Sequence, residues 1–284
     1  MSVDWGFLVK FASNSLVHLN IFKRELITLV LTSLKQLVLN SLFPMRVSTS
    51  FKTSPVDSKT KEVLHNLKKN DFYLISDTHF FHKNILEYEP SRKVIYRYGY
   101  SEQEDFLMDR WNERVGSNDW VLHLGDFSFK ESDEELLTLL GEMLNGNKIL
   151  ILGNHDKKPL KFYEKFFKLP IGEGTIYVEH KGEFFKIEAP YKFANGLILE
   201  FPQIGKVFFT HYPVKTPPPW QTDTVKFLKE VFETFGCSLN LHGHTHSKSL
   251  DNPQSVNLSV EVIDFAPKRL SEVLDTVKSF EKST

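Results

Sequence analysis

The 284-residue sequence contains a single cysteine, Cys237. One thiol cannot form a disulfide within the chain, and it cannot build the cysteine clusters found in structural zinc sites. The cysteine content therefore leaves the redox compartment undecided.

The sequence also lacks a strong excess of charge of either sign. Its 35 Lys and Arg residues face 36 Asp and Glu residues, for a formal net charge of -1. This balance disfavours a protein that wraps nucleic acid, because such proteins neutralise phosphates with a basic surface. A small anionic substrate remains compatible with the composition, since bound cations can supply the positive charge of a site.

The charges are unevenly distributed along the chain. Residues 1–70 carry ten Lys and Arg against four Asp and Glu, whereas the remaining residues carry 25 against 32. Within this basic leader, residues 26–43 are strongly apolar and are interrupted only by Lys35. This stretch is close to the minimum length of a membrane-spanning helix, and its apolar residues follow helical spacing.

The leader segment 26–43 predicts a helix that packs against the protein or lies at an interface. An organelle-targeting presequence, a membrane anchor and an extension upstream of a domain starting near Met45 are the alternatives. We expect a leader over residues 1–45, a linker and short helix over 46–70, and a catalytic domain over 71–284. The expected location is the cytoplasm, unless the leader targets an organelle or contacts a membrane or a partner.

Five short apolar runs follow, and each ends in a cluster of polar residues. Such runs, bounded by Gly, Asn and Asp, are typical of buried strands. The runs are Phe72–Ile75, Trp120–Leu124, Lys148–Leu152, Val207–Thr210 and Leu239–Leu241. Helical patterns cover Glu102–Val115, Asp133–Leu144 and Thr222–Phe235, and residues 174–201 predict a meander of three strands. The sequence therefore predicts an α/β fold whose polar residues collect at the carboxyl ends of strands.

The polar clusters contain the side chains that bind metals through nitrogen and oxygen. They are Asp77, His79, Asp126, Asn154, His211, His244 and His246. A set without thiolate suits Mn, Fe, Zn or Ni. Two such cations sharing one carboxylate can hold a phosphate and activate water for in-line attack. His155, next to Asn154, is placed to protonate a leaving oxygen or to stabilise developing charge.

These motifs resemble those of the calcineurin-like metallophosphoesterase superfamily over roughly residues 71–267. The segment from Asp77 through His82 to Asn84 is similar to the small phosphohydrolases of that superfamily in bacteria and phages. The resemblance implies a two-sheet β-sandwich flanked by helices, with a binuclear centre at one edge. It also implies that Asp77, His79 and His246 hold one metal, that Asp126 bridges, and that Asn154, His211 and His244 hold the other. His155 would then be the acid or the transition-state stabiliser.

The function expected from these observations is hydrolysis of a small phosphodiester or nucleotide-like substrate by a metal-bound hydroxide. A nuclease or a phosphoprotein phosphatase on the same fold is one alternative, and a scaffold or binding protein is the other. Candidates for substrate contacts are His82, Asn84, Arg92 and Tyr212. Among these, the guanidinium of Arg92 could bind a phosphate in bidentate fashion, and Tyr212 is expected at the pocket rim.

Overall fold

The computed structural model describes residues 51–129, 133–215, 222–248, 252 and 254–283. The predicted helix over residues 26–43 lies outside the described residues. Within the described ranges, no helix is at once long enough and apolar enough to cross a membrane.

The described chain alternates short strands with helices, as the sequence predicts. The strands are β1 (Lys52–Pro55), β2 (Tyr73–Ile75), β3 (Trp120–His123), β4 (Asn147–Ile151), β5 (Leu169–Ile171), β6 (Thr175–His180), β7 (Glu183–Glu188), β8 (Gly196–Phe201), β9 (Gly205–Thr210), β10 (Cys237–His242), β11 (Ser255–Asn257) and β12 (Lys268–Arg269). The α-helices are α1 (Ser58–Lys69), α2 (Ile85–Tyr88), α3 (Gln103–Asn112), α4 (Glu134–Met143), α5 (Leu160–Tyr163), α6 (Asp223–Thr234) and α7 (Leu270–Ser283). Short 3-10 helices cover Pro90–Tyr98 and Val260–Val262.

The three helices predicted from periodicity are α3, α4 and α6, each slightly shorter than its pattern. Side-chain caps fix two of the starts. The carboxylate of Asp133 accepts a hydrogen bond of 3.1 Å from the Leu136 amide ahead of α4. The hydroxyl of Thr222 accepts one of 3.3 Å from the Val225 amide ahead of α6. Both satisfy amide groups that have no partner within a helix.

The strands form two sheets. One has five strands in the order β12-β2-β3-β4-β5, and the other has seven in the order β1-β7-β6-β8-β9-β10-β11. Strands β2 to β5 run parallel, and β10 runs parallel to both β9 and β11. The predicted α/β architecture of two sheets flanked by helices is confirmed.

The core lies between the two sheets. Leu74, Leu122 and Ile149 of the five-stranded sheet share one buried cluster with Leu197 and Phe209 of the seven-stranded sheet. Just ahead of β2, the ring of Phe72 lies 5.8 Å from that of Phe209, between ring centroids. This apolar layer joins the sheets and holds the ends of their strands at a fixed distance.

The meander predicted over residues 174–201 is wrong in its last strand. Strand β6 pairs with β7 antiparallel, but β8 returns to pair with β6 in parallel. The connection through residues 189–195 crosses over instead of turning back. Its Asn195 side chain accepts a hydrogen bond of 2.9 Å from the Gly174 amide and donates one of 3.0 Å to the Leu152 carbonyl. These bonds hold β8 on the other side of β6.

The region predicted as a linker and short helix over residues 46–70 contains a strand in the structure. Residues Lys52–Pro55 form β1, which pairs antiparallel with the free edge of β7. Next to it, the ring of Phe51 contacts Phe227 edge-on and stacks on Phe235, both on the helix side of the sheet. The compact unit of the described chain therefore begins before residue 71, at Phe51.

Candidate metal centre

The polar clusters of the two sheets meet at one edge of the sandwich. The strands that end at this edge are β2, β3 and β4 of the five-stranded sheet and β9 and β10 of the seven-stranded sheet. Two hydrogen bonds cross the seam between the sheets: the Val260 amide donates to the Ser76 carbonyl at 3.1 Å, and the His244 amide donates to Asp77 Oδ2 at 2.9 Å. Within the seven-stranded sheet, the Gly243 amide donates to the His211 carbonyl at 3.0 Å. Side chains that are far apart in sequence are thereby brought into one site.

A first group of ligand-type atoms comes from Asp77, His79 and His246, whose atoms lie within 4.8 Å of one another. His79 Nε2 is 3.8 Å from Asp77 Oδ1, and His246 Nε2 is 3.9 Å from the same oxygen. Ligand atoms around one cation at about 2.1 Å are separated by roughly 3–4 Å. The spacing therefore suits a single ion.

A second group comes from Asp126, His211 and His244. Asn154 adds its amide oxygen, 3.0 Å from His211 Nε2. Asp126 Oδ2 lies 3.4 Å from His211 Nε2 and 3.6 Å from His79 Nε2, which belongs to the first group. One carboxylate oxygen therefore faces imidazoles of both groups.

Several polar atoms of this site have no hydrogen-bond partner although they are buried. They include Asp77 Oδ1 and both ring nitrogens of His79. A buried polar atom without a partner is costly, so it calls for an explanation. Binding of a divalent cation by Asp77 Oδ1 and by Nε2 of His79 would supply one for these two atoms, and the residues therefore fit a metal site.

The protonation states of two of the imidazoles agree with this use. Burial lowers the pKa of His79 to about 3 and that of His244 to about 4, which keeps both rings neutral. His211 Nδ1 lies 2.9 Å from the Leu124 carbonyl, an acceptor, so this nitrogen carries a proton and Nε2 faces Asp126. Burial would lower the pKa of His211, but the charge of Asp126 outweighs it and raises the pKa to about 9. A metal bound here must displace that second proton.

Most of the candidate ligands also share an unusual backbone conformation. Five of them lie at positive φ: Asp77 (58°), His79 (47°), Asp126 (55°), His244 (69°) and His246 (50°). Side-chain-bearing residues seldom adopt this left-handed region, and such strain concentrates at functional sites. The conformation lets consecutive loop residues turn toward the seam directly after each strand.

Comparison with known proteins agrees with this geometry. Residues 71–248 match the family model described as calcineurin-like phosphoesterase. The chain belongs to this family. Membership implies metal-dependent hydrolysis of phosphoesters, and the resemblance seen in the sequence motifs is confirmed.

Two related proteins and one solved structure extend the comparison. An uncharacterized protein of Methanocaldococcus jannaschii is 30% identical over 215 residues, which cover 72% of this chain and 90% of that protein. The Gene 66 protein of Mycobacterium phage D29 is 26% identical over 223 residues, covering 75% of this chain and 98% of the phage protein. A crystal structure of a protein of unknown function from Aquifex aeolicus aligns with a TM-score of 0.54 at 25% identity, over 72% of this chain and 98% of that one.

Asp156, the last residue of the Gly153–Asp156 motif of this phosphoesterase, has a positioning role that was not predicted. Its buried carboxylate accepts hydrogen bonds from the amides of Asp126 (2.8 Å), Phe127 (3.0 Å) and Gly153 (2.9 Å). Burial raises the pKa of this carboxyl, and the nearby charge of Asp126 acts in the same direction. Asp156 therefore ties the loop after β3 to the loop after β4.

His155 lies beside both ligand groups. Its amide donates to Asp126 Oδ1 at 2.8 Å, and its ring centroid is 5.5 Å from that of His79. The ring is half-buried, so it is open to a ligand on one side. His123 and His242 are buried within β3 and β10. His123 Nε2 lies 3.0 Å from the hydroxyl of Thr78, between the first two ligands.

The proposed phosphate contact of Arg92 disagrees with the structure. The guanidinium is 1% exposed and bonds within the protein at every nitrogen. It pairs with the carboxylate of Glu261 at 2.6 Å, and it donates to the backbone carbonyls of Asp77 (2.5 Å) and Thr78 (3.0 Å). A buried guanidinium with its donors used in this way cannot reach a substrate. Arg92 instead holds the loop that carries Asp77 and His79.

The other substrate candidates lie in different surroundings. The half-buried ring of Tyr212 is 4.6 Å from that of His244, beside the second group. His82 is half-buried near the first group, 5.9 Å from the ring of His79. Asn84 is exposed at the start of α2.

Two residues near the site were missed as site residues. Glu261 Oε1 lies 2.9 Å from His246 Nδ1, and the ring of Phe129 is 5.2 Å from that of His79. Glu261 could have been suspected because it is an acidic residue within the mostly apolar run Leu258–Val262. Phe129 carried no signal among the 25 phenylalanines of the sequence.

Proposed function

We propose that this chain hydrolyses a small phosphodiester or nucleotide-like phosphate ester with two divalent cations. Asp77, His79 and His246 would hold the first cation, and Asn154, His211 and His244 the second. The observation that supports this most directly is the position of Asp126 Oδ2, 3.6 Å from His79 and 3.4 Å from His211. A carboxylate between two ligand groups is suited to bridge two ions about 3.5–4 Å apart.

When bound, such cations supply Lewis acidity that orients the phosphoryl group and makes water more acidic. The protein side chains supply the remaining parts of the reaction. In hydrolysis, water gives up one proton, its oxygen forms a bond to phosphorus, the bond to the leaving oxygen breaks, and the leaving oxygen takes up a proton. The proton released by water restores the proton donor by way of the solvent. His155 is our candidate for the donor of that proton, because its backbone is fixed on Asp126 while its ring is half-buried.

The charge of the catalytic part supports a small substrate rather than a nucleic acid. The residues after 70 carry 25 Lys and Arg against 32 Asp and Glu. A long polyanion is held by a track of basic side chains, and an acidic surface repels it. A small diester needs only the charge of the metal centre.

The test uses the full chain with Mn(II) and a pair of chromogenic esters, p-nitrophenyl phosphate and bis(p-nitrophenyl) phosphate. We expect diester turnover, and we expect Asp126→Asn to abolish it because the change weakens both metal sites. His155→Ala should keep its metal content, and on methyl benzyl phosphate, whose alkoxide needs a proton to leave, its turnover should fall about 100-fold or more, as for loss of a general acid. Turnover of the nitrophenyl esters should fall less, because p-nitrophenolate leaves readily without a proton. The matched control is Asp105→Asn, a carboxylate exposed on α3, which should leave turnover unchanged.

Three results would contradict the proposal. Full activity of His155→Ala on methyl benzyl phosphate would remove its role as proton donor. Turnover confined to DNA, and falling steeply with added salt, would indicate a nuclease instead. Two metals bound per chain without hydrolysis of either ester would point to a scaffold or binding role.

A further inference from the structure

Three neighbouring aromatic side chains form an apolar strip beside the metal centre. The ring of Phe129 lies 3.9 Å from that of His82, which lies 5.7 Å from that of Tyr88, between centroids. We call Phe129, His82 and Tyr88 the aromatic ledge. Phe129 is 40% exposed and Tyr88 is 68% exposed. The ledge is therefore open to solvent over much of its length.

The exposure of Phe129 is unusual for this protein. Among the phenylalanines whose burial the structure describes, it is the exposed one, whereas the others are buried or half-buried. The exposed part of this ring contributes nothing to stability, because apolar surface is stabilised only when it leaves water. An apolar ring kept at the rim of a polar site indicates that something apolar covers it there.

The aromatic ledge lies next to His155, and this position places the ledge on the leaving-group side of a bound substrate. The ring of Phe129 is 4.7 Å from that of His155 and 5.2 Å from that of His79. In the proposed function, His155 gives its proton to the leaving oxygen. A ring in contact with the proton donor therefore lies next to the leaving group. From Phe129 the ledge continues away from His155 through His82 to Tyr88.

We infer that the aromatic ledge binds a planar aromatic ring carried by the leaving alcohol of the ester. This inference rests on the proposed function and narrows its substrate class. Phe129 is the central residue, because it joins the ledge to His155. Aromatic side chains stack on rings of many kinds, so both a simple aryl group and a nucleobase satisfy the chemistry.

The test compares esters that differ only in the leaving alcohol. One pair is methyl benzyl phosphate against methyl cyclohexylmethyl phosphate, in which ring size is kept and aromaticity is lost. The other pair is methyl thymidine 5′-phosphate against its counterpart without the base. Release of the bulky alcohol is measured with the Mn(II)-loaded full chain. We expect kcat/KM to favour the aromatic member of at least one pair about tenfold, as one stacking contact would give.

Variants at position 129 separate stacking from other effects. Phe129→Leu should bring the ratio of kcat/KM between the aromatic and the non-aromatic member of a pair close to one, because it lowers kcat/KM of the aromatic member more. Phe129→Tyr keeps a ring and should keep the preference. Tyr96→Leu is the matched control, because Tyr96 is 56% exposed but is not part of the ledge. It should behave as wild type.

The outcomes distinguish this inference from the proposed function. A preference in both pairs indicates an aryl site, and a preference only for the thymidine ester indicates a nucleobase site. Equal kcat/KM within both pairs in the wild type would overturn the inference and leave the hydrolase intact. An equal loss on both members in Phe129→Leu would also overturn it, because Phe129 would then only support His155. If the wild type hydrolysed none of the four esters, the proposed function and this inference would be overturned together.

Discussion

The charge of Arg92 is buried together with that of Glu261, at 1% and 0% side-chain exposure. Glu261 Oε1 accepts from Arg92 Nε at 2.7 Å and lies 2.9 Å from His246 Nδ1. The side chain of Gln103 joins the same network, since it bonds Arg92 and also donates to the His79 carbonyl at 2.8 Å. A carboxylate on the far nitrogen of a metal-binding imidazole fixes the ring and increases its basicity. The pair thus supports both histidines of the first ligand group.

We expect Glu261→Gln to weaken metal binding at the first group. The amide still fills the space but no longer carries the charge that orients His246 and compensates Arg92. Loss of such a partner typically lowers metal affinity about 10–100-fold. Breaking a buried ion pair from one side also costs about 3–5 kcal/mol of stability. Calorimetric titration with Mn(II) measures the first effect, and chemical denaturation measures the second.

The control for this prediction is a pair at the surface. Glu272 binds Arg114 at 2.5 Å, with both side chains more than a third exposed. Exposed pairs contribute little, so Glu272→Gln should leave Mn(II) affinity unchanged and stability nearly so. A folded Glu261→Gln protein that binds two Mn(II) ions as tightly as wild type would show that Glu261 does not position His246.

At the scale of elements, the site depends on how closely the end of β10 approaches the end of β2. Gly243 follows β10, and a Cβ added there would lie 1.9 Å from Ser76 Oγ and 2.2 Å from Asp77 Oδ2. Its φ is not in the left-handed region. Glycine is therefore required at this position by the space between the two loops and not by a turn.

Gly243→Ala should separate these loops and damage the first ligand group. We expect loss of Mn(II) binding and of ester hydrolysis together with a lower Tm, since the backbone must move to accept the methyl group. Gly141→Ala on α4 is the matched control. Its Cβ would meet Phe166 at an ordinary 3.4 Å, and alanine favours a helix. A Gly243→Ala protein with normal metal content would contradict the close packing seen here.

Most elements of this fold could be predicted, because the signals for them are local in the sequence. Strands β2, β3, β4, β9 and β10 are short apolar runs bounded by polar residues, so each ligand could be placed after its strand. The pairing of β8 with β6 could not be predicted, because it depends on contacts of Asn195 with distant residues. The role of Arg92 was missed for the same reason, since its partner Glu261 lies 169 positions later in the sequence.

At the scale of the whole molecule, the candidate site exists only where both sheets are assembled. Asp77 Oδ2 accepts hydrogen bonds from the His244 amide, 167 positions away, and from the Ser259 hydroxyl, 182 positions away, at 2.9 and 3.0 Å. Strands β2 and β10 reach these contacts only through the shared core between the sheets. An intact site therefore requires that the two sheets, which lie between Phe51 and the last helix, are both assembled.

The leader and the edge strand β1, which follows it, are expected to contribute differently to the site. Every ligand-type residue of the site, and the network that supports it, lies within the unit that begins at Phe51. We therefore expect deletion of residues 1–44 to leave Mn(II) binding and ester turnover in solution unchanged.

Deletion of residues 1–55 should behave differently from that of residues 1–44, because it also removes β1 and the buried ring of Phe51. Burial of a phenylalanine contributes about 1.5–3 kcal/mol, which corresponds to roughly 3–12 °C in Tm for a domain of this size. Thermal unfolding and diester turnover of both truncated proteins make the comparison. A loss of activity already on removing residues 1–44 would mean that the leader contributes to the catalytic unit, since no residue of β1 or of the site would have been removed.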